Sequence, residues 1–212
     1  MKLTKKSEAL NIIEPSYLAS LSALLWIALY YLPVGGAILR LILPLPLILL
    51  HLRRGSKAAL DGIVIQILLL LILMGPIRGP LFLFPYGMLA FWLGWCWLEL
   101  KSWWFSWLLG IIVGVIGFGI RVFALSTLVG ENLWLIITRA SYNLVDKVSA
   151  LLNISSTPSL FSIQVVAILL IIFQEIVYVL TIHIVAYSVF PKLKSRVPEP
   201  PLILEDFVNF KP

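Results

Sequence analysis

The sequence predicts an all-α polytopic membrane protein, with six transmembrane helices and an outer-face amphipathic helix between the fifth and sixth. Three observations carry this. Hydrophobic residues make up 61% of the 212 and charged residues only 12%, about half the charged share of a soluble chain, and the mean hydropathy is +1.03. Several runs free of Asp, Glu, Lys and Arg approach the roughly 20 residues a helix needs to cross about 30 Å of hydrocarbon. Stretches such as Ile63-Val64-Ile65 and Ile67 to Leu73 lack the inside/outside alternation of a strand barrel. Helices, which satisfy their own backbone, are then the open-chain solution in lipid.

Uncharged runs include Pro15 to Leu39, Leu41 to Leu52, Gly62 to Ile77, Gly79 to Leu98, Ser102 to Ile120 and Val148 to Gln174. Helix breakers divide them: Pro33-Val-Gly35-Gly36 interrupts the first, and Gly75-Pro76 closes the third. The spans expected are therefore about 15–32, 36–51, 58–74, 80–98, 102–126 and 159–190. Within the second, Pro44-Leu45-Pro46 removes N–H donors, so a kink is expected, with freed carbonyls needing another donor or a water-lined cavity.

Basic residues in short loops set orientation. Lys2, Lys5 and Lys6, then Arg53, Arg54 and Lys57, then Lys101, then Lys192, Lys194 and Arg196 fall on one side if there are six spans. Both termini are then cytoplasmic, in a plasma or thylakoid membrane. The first apolar run is of spanning length with no A-x-A site after it, so no cleavable signal peptide is expected.

Between spans five and six, Leu133, Ile136, Ile137, Ala140, Leu144, Val148, Leu151 and Leu152 recur at helical spacing, with Asn132, Arg139, Asn143, Asp146 and Lys147 mostly between them. This amphipathic segment, 131–158, belongs on the outer face, along the lipid surface or as a cover over the bundle. Ser155-Ser156-Thr157-Pro158 restarts the last span. Residues 1–190 form one membrane domain. Residues 191–212 are a proline-rich cytoplasmic tail, expected to be extended; its patch Leu202 to Phe210 either docks on a partner or is a loose end.

Composition also narrows function. The net charge of +6 comes from bases spread thinly between apolar runs, not from a stripe, so nucleic-acid binding is not expected. The single cysteine, Cys96, excludes an internal disulfide and a Cys-rich zinc site. Gly110, Gly114, Gly117 and Gly119 have no preceding strand and no following Lys-Ser/Thr, so they suit close helix packing rather than phosphate binding. With two histidines, no H-E-x-x-H pair and no G-x-S-x-G elbow, neither an enzyme nor a bound cofactor is expected.

Charge at depth is what remains. Arg40 stands one turn inside span two, Arg78 occupies the outer turn Gly75 to Pro80, Arg121 lies near the outer end of span five, and Glu175 is the sole formal charge of span six. An ionised group at mid-membrane costs about 2.5–3.5 kcal/mol on the insertion scale, so Glu175 requires a partner, with Arg40 the first choice. Two readings stand. In one, Arg40 and Glu175 lock the bundle while Arg78 and Arg121 snorkel to headgroups. In the other, Arg40, Arg78, Arg121 and Glu175 surround an outward cavity for a small anion, because guanidinium forks suit carboxylates and phosphates. On span one, Ala19 and Ala23 form a shallow stripe, for packing within the chain or for a partner protein.

Ala37-Ile-Leu-Arg40, Leu43-Pro44-Leu-Pro46-Leu, Leu52-Arg53-Arg-Gly55, Met74-Gly75-Pro76 and Pro85-Tyr86-Gly87 through Gly94 resemble the YybS-like membrane proteins, a family of unknown function, in its cyanobacterial or plastid form. That family is in turn distantly similar to the S components of energy-coupling-factor vitamin transporters. The resemblance implies six helices, cytoplasmic termini, a ligand near the outer face, and an Ala-x-x-x-Ala contact, here Ala19 and Ala23, for a coupling transmembrane subunit that works with ATPase subunits. It is also similar to the cell-shape scaffold MreD. The expectation is a non-enzymatic, S-component-like subunit for ATP-driven uptake of a small anionic molecule; the rival is a membrane scaffold or assembly factor.

Overall fold

A computed structural model describes residues 2–32, 35–151, 159–195 and 197–201. These form α1 (Lys2–Tyr31), α2 (Gly36–Ile42), α3 (Leu45–Arg78), α4 (Tyr86–Leu98), α5 (Trp103–Val129), α6 (Leu133–Leu151) and α7 (Leu160–Val189), with no strand among the described residues. The fold is all-helical, as its composition predicts. Helix α1 begins well before the expected boundary and carries Pro15 inside it, because a helix continues past the point where its lipid-facing stretch starts.

Five stretches are long and apolar enough to cross a membrane: Ile13–Tyr31, Ile38–Arg78, Pro80–Leu98, Trp103–Val129 and Leu160–Val189. Six were expected. The difference lies in Ile38–Arg78, where expected spans two and three run together as 41 residues. Helix α3 is nevertheless broken at Gly55 (φ 81°, ψ −179°) and Gly75 (φ 85°, ψ 173°), backbone conformations that only glycine adopts readily. Along a straight helix Leu50 and Gly62 would stand about 18 Å apart. Instead, a Cβ on Gly62 would lie 2.5 Å from Leu50 Cδ2 and 3.3 Å from Leu47 Cδ2. The chain therefore reverses at Gly55, and residues 45–54 pack antiparallel to 56–74. A second reversal at Gly75 lays Gly79 against the backbone of Leu70 and Leu71.

The kink expected from Pro44 is present: α2 ends at Ile42 and α3 starts at Leu45. Pro44 has no N–H for the carbonyl of Arg40, and the Tyr178 hydroxyl on α7 donates to that oxygen at 2.9 Å. The buried Ser22 hydroxyl on α1 donates to the Leu43 carbonyl at 3.0 Å. The break is thus stitched from both sides by side chains of other helices.

Helix α4 is the axis of the bundle. In its segment, Pro80–Leu98, 61% of the apolar window is buried, against 22–33% in the other four. The outward faces carry large apolar side chains, among them Leu24, Ile72, Phe123 and Phe173, which suits contact with lipid.

At one end of the bundle Glu14 accepts hydrogen bonds from Arg53 Nη1 at 2.9 Å and Arg54 Nε at 2.6 Å. Arg53 Nη2 donates to the Leu193 carbonyl at 2.9 Å. Leu100, in the α4–α5 turn, lines a pocket with Pro191 and Lys194. The Gly55 turn, the α4–α5 turn and the segment after α7 therefore share this end. That segment is not extended from Pro191 as expected: Pro191–Leu193 make a 3-10 turn, and Ser195 N–H donates back to Phe190 O at 3.0 Å. The patch Leu202 to Phe210 and the caps Ser155 to Pro158 lie outside the described residues. Within them, Ser159 caps α7, its Oγ accepting from Ser162 N–H at 3.2 Å.

Helix α6 packs on α7 and α5, and its apolar stripe turns toward them only at its start, where Leu133 and Ile137 are half-buried. Thr138 and Ser141 are buried, each hydroxyl donating to its own backbone, at 2.8 Å to Trp134 O and 3.0 Å to Ile137 O. Ile136, Leu144, Val148 and Leu151 are exposed. Beyond its first turn the helix meets the bundle along one flank of the stripe, so Leu144, Val148 and Leu151 face sideways.

Candidate functional site

Three glycines of α5 set the site's floor. A Cβ on Gly110 would lie 2.7 Å from Val179 Cγ1, and one on Gly117 2.8 Å from Pro85 Cβ. One on Gly114 would overlap the Glu175 carboxylate. Small residues at three- and four-residue spacing thus admit α7 and the start of α4 into close contact with α5, the packing use expected of them. Gly119 faces open space.

Above this contact is a cavity of about 340 Å³. Its polar wall comprises Arg40, Arg121, Gln174, Glu175 and Tyr178, and Leu133, Ile136 and Ile137 at the start of α6 roof it. Glu175 is 3% exposed, and its Oε2 has no hydrogen-bond partner among the described residues. The Arg121 guanidinium lies 5.5 Å from the Trp26 ring centre and 5.9 Å from that of Tyr86, and its Nη2 is 3.5 Å from Tyr30 Oη. Aromatic faces hold this cation without neutralising it, which leaves its charge available to the cavity.

The structure therefore brings Arg40, Arg121 and Glu175 to one cavity. It does not make Arg40 and Glu175 an ion pair; the ion pairs it shows include Arg53–Glu14, Arg54–Glu14 and Lys101–Glu99. Arg40 is exposed at the mouth, where its charge is solvated at less cost than beside a buried carboxylate. Arg78 is not on the cavity wall. It is exposed, with its guanidinium 5.4 Å from the Tyr30 ring centre, and so touches the site only through Tyr30.

Ala19 and Ala23 are both fully buried. The chain itself covers their stripe, α1 packing chiefly on α3, so the expectation of a partner contact there is corrected: a second protein has no access to it.

Tyr178 and Tyr30 carry no mark in the sequence, although Tyr178 stands three residues after Glu175 and so on the same helix face, and Tyr86 stands out there only within the Pro85-Tyr86-Gly87 motif. A Ser–His pair was missed as well. Ser106 Oγ lies 2.8 Å from His183 Nε2, and His183 Nδ1 donates to Val179 O at 2.8 Å. Both residues are buried, 0% and 1% exposed, with the rings of Trp97 and Trp103 edge-on to the imidazole at 5.1 and 5.2 Å. Without access for a substrate, this arrangement is a polar clamp between α5 and α7. At the other crossing His51 Nε2 lies 3.0 Å from Ser56 Oγ, and a Cβ on Gly94 would lie 2.6 Å from His51 Cβ, so Gly94 admits α3 onto α4.

A family model described as Predicted membrane protein (DUF2232) matches residues 20–204. No curated protein and no solved structure matches the chain.

Proposed function

This chain belongs to the DUF2232 family of predicted membrane proteins, and we propose that it is a non-enzymatic binding subunit that captures a small anionic molecule in the cavity between α5, α6 and α7. In this reading it works, as the S components of energy-coupling-factor transporters do, with an ATP-driven coupling module supplied by other subunits. The observation that carries the proposal is the cavity. Its volume, about 340 Å³, lies in the range of small-molecule sites, and two guanidinium groups against one carboxylate give it a surplus of positive charge suited to carboxylate or phosphate.

The reading includes a topology. The reversal at Gly55 makes residues 36–54 and 56–74 two crossings, six in all, and the end bearing Arg53, Arg54, Lys101 and Lys192 faces the cytoplasm. The cavity then opens outward under α6, whose exposed apolar stripe lies in the lipid boundary as an amphipathic helix does. Burial of Ala19 and Ala23 removes that stripe as the contact with a coupling subunit, so the contact surface has to be sought on lipid-facing helix faces.

Purification in mild detergent without crosslinking, followed by mass spectrometry of bound subunits and small molecules, tests the proposal. Recovery with a coupling ATPase and with an anion whose retention is lost in Arg121→Ala supports it. Recovery solely with a large membrane assembly, with no retained anion, favours a scaffold and overturns it.

A further inference from the structure

A second cavity of about 280 Å³ adjoins the first. Its walls are apolar throughout: Val115, Phe118, Gly119 and Val122 of α5, Trp134 of α6 and Ile171 of α7 are among them. Phe118 and Val122, one helical turn apart, also line the polar cavity. The first turn of α6 roofs both, Leu133 over the polar cavity and Trp134 over the apolar one. Phe123 and Ile168, at the margin of the apolar cavity, are exposed on the outer surface of the helices, so this half opens sideways to lipid.

Resting on the proposed function, we infer that the site takes a single-chain anionic amphiphile, its acidic head at Arg121 and Arg40 and its hydrocarbon tail in the apolar cavity beside Gly119. A small hydrophilic anion would leave the second cavity unmatched. A two-chain phospholipid has one tail more than the single adjoining cavity accommodates. The amphiphile satisfies both halves at once: the guanidinium groups bind an oxyanion, and the tail leaves the bilayer for walls of similar polarity. Sideways opening lets such a molecule enter from the membrane.

The test compares methyl phosphate and decyl phosphate binding to the full chain in phosphatidylcholine nanodiscs, with uptake by empty discs subtracted and affinities referred to the free ligand in water. Decyl phosphate should bind more than about tenfold tighter, since each buried methylene adds about 0.8 kcal/mol at most. Gly119→Leu fills the apolar cavity from a position with nothing within 4 Å of the new Cβ. It should abolish most of the chain-length advantage and leave methyl phosphate binding unchanged, whereas Arg121→Gln should weaken both ligands. Equal affinity of the two phosphates for the unmodified protein, or an advantage undiminished in Gly119→Leu, overturns the tail assignment while the anion site stands. Displacement of decyl phosphate by phosphatidylglycerol added to the discs overturns the single-chain assignment. Failure of methyl phosphate to bind, or binding indifferent to Arg121→Gln, overturns the anion site and the amphiphile with it.

Discussion

The Tyr178 hydroxyl donates to the Arg40 carbonyl at 2.9 Å, in the position where Pro44 offers no N–H. One hydrogen bond thus joins α7 to the break between α2 and α3, a single turn from Glu175. The stability of the kink and the shape of the cavity depend on the same side chain. Ser22, donating to Leu43 O at 3.0 Å from inside the core, does the same from α1.

Removing these donors should therefore destabilise the protein to different extents. Ser22→Ala strands a buried carbonyl, which costs about 1–3 kcal/mol, whereas Tyr178→Phe exposes the Arg40 carbonyl to a cavity that water can enter and should cost about 1 kcal/mol or less. Thermal unfolding in one detergent should rank Ser22→Ala below Tyr178→Phe, and both below the unmodified protein. The reverse order would mean that the cavity is dry.

The glycines of α5 should divide into two classes. Gly110→Ala and Gly114→Ala push a methyl group into Val179 and the Glu175 carboxylate respectively, overpacking that costs about 1–3 kcal/mol. Gly119→Ala meets nothing and should stabilise the helix by up to about 1 kcal/mol. Melting temperatures of the three variants check this; a destabilised Gly119→Ala would show that α5 is rotated from the position described.

Ligand-induced stabilisation should separate the arginines. If the cavity binds an anion, Arg121→Ala loses a charge-assisted contact of about 1.5–3 kcal/mol, roughly a tenfold to hundredfold weakening. Arg78→Ala, off the cavity wall, should change affinity little. Glu175→Gln removes the opposing negative charge at nearly constant shape and should tighten anion binding. Titration with inorganic phosphate followed by thermal shift reads all three.

What the sequence reveals and what it hides divide along a physical line. Lipid imposes length and charge requirements on each segment separately, so the apolar runs, the Pro44 break and the helical spacing of α6 are all visible in one dimension. Depth along the membrane is visible too, which is why Arg40, Arg121 and Glu175, singled out as charges at depth, line one cavity. Rotation of one helix against another is not. Whether Glu175 faces Arg40 or Gly114, whether Ala19 and Ala23 face a neighbour in the chain or a foreign one, and which flank of α6 lies inward all depend on packing, and Thr138 and Ser141 point inward where the apolar pattern favours Ile136 and Leu144. Ser106 and His183 meet across 77 residues of chain, with no spacing rule to connect them.

The number of crossings is the most consequential matter, and Gly55 decides it. Its φ of 81° is strained for any residue with a Cβ, and it falls between Arg54 and Lys57, the charges best placed to stay in water. If the chain turns there in the cytoplasm, Lys57→Cys and Lys192→Cys lie on one side of the membrane and Asn132→Cys on the other. With the buried Cys96 replaced by alanine, a membrane-impermeant maleimide added to intact cells should label Asn132→Cys alone, and all three after the membrane is opened. Labelling of Lys57→Cys and Lys192→Cys without Asn132→Cys before opening would put the Gly55 turn outside and reverse the bundle. Labelling of Lys192→Cys without Lys57→Cys would make residues 38–78 cross an odd number of times, and the outward-facing cavity would then have no fixed side.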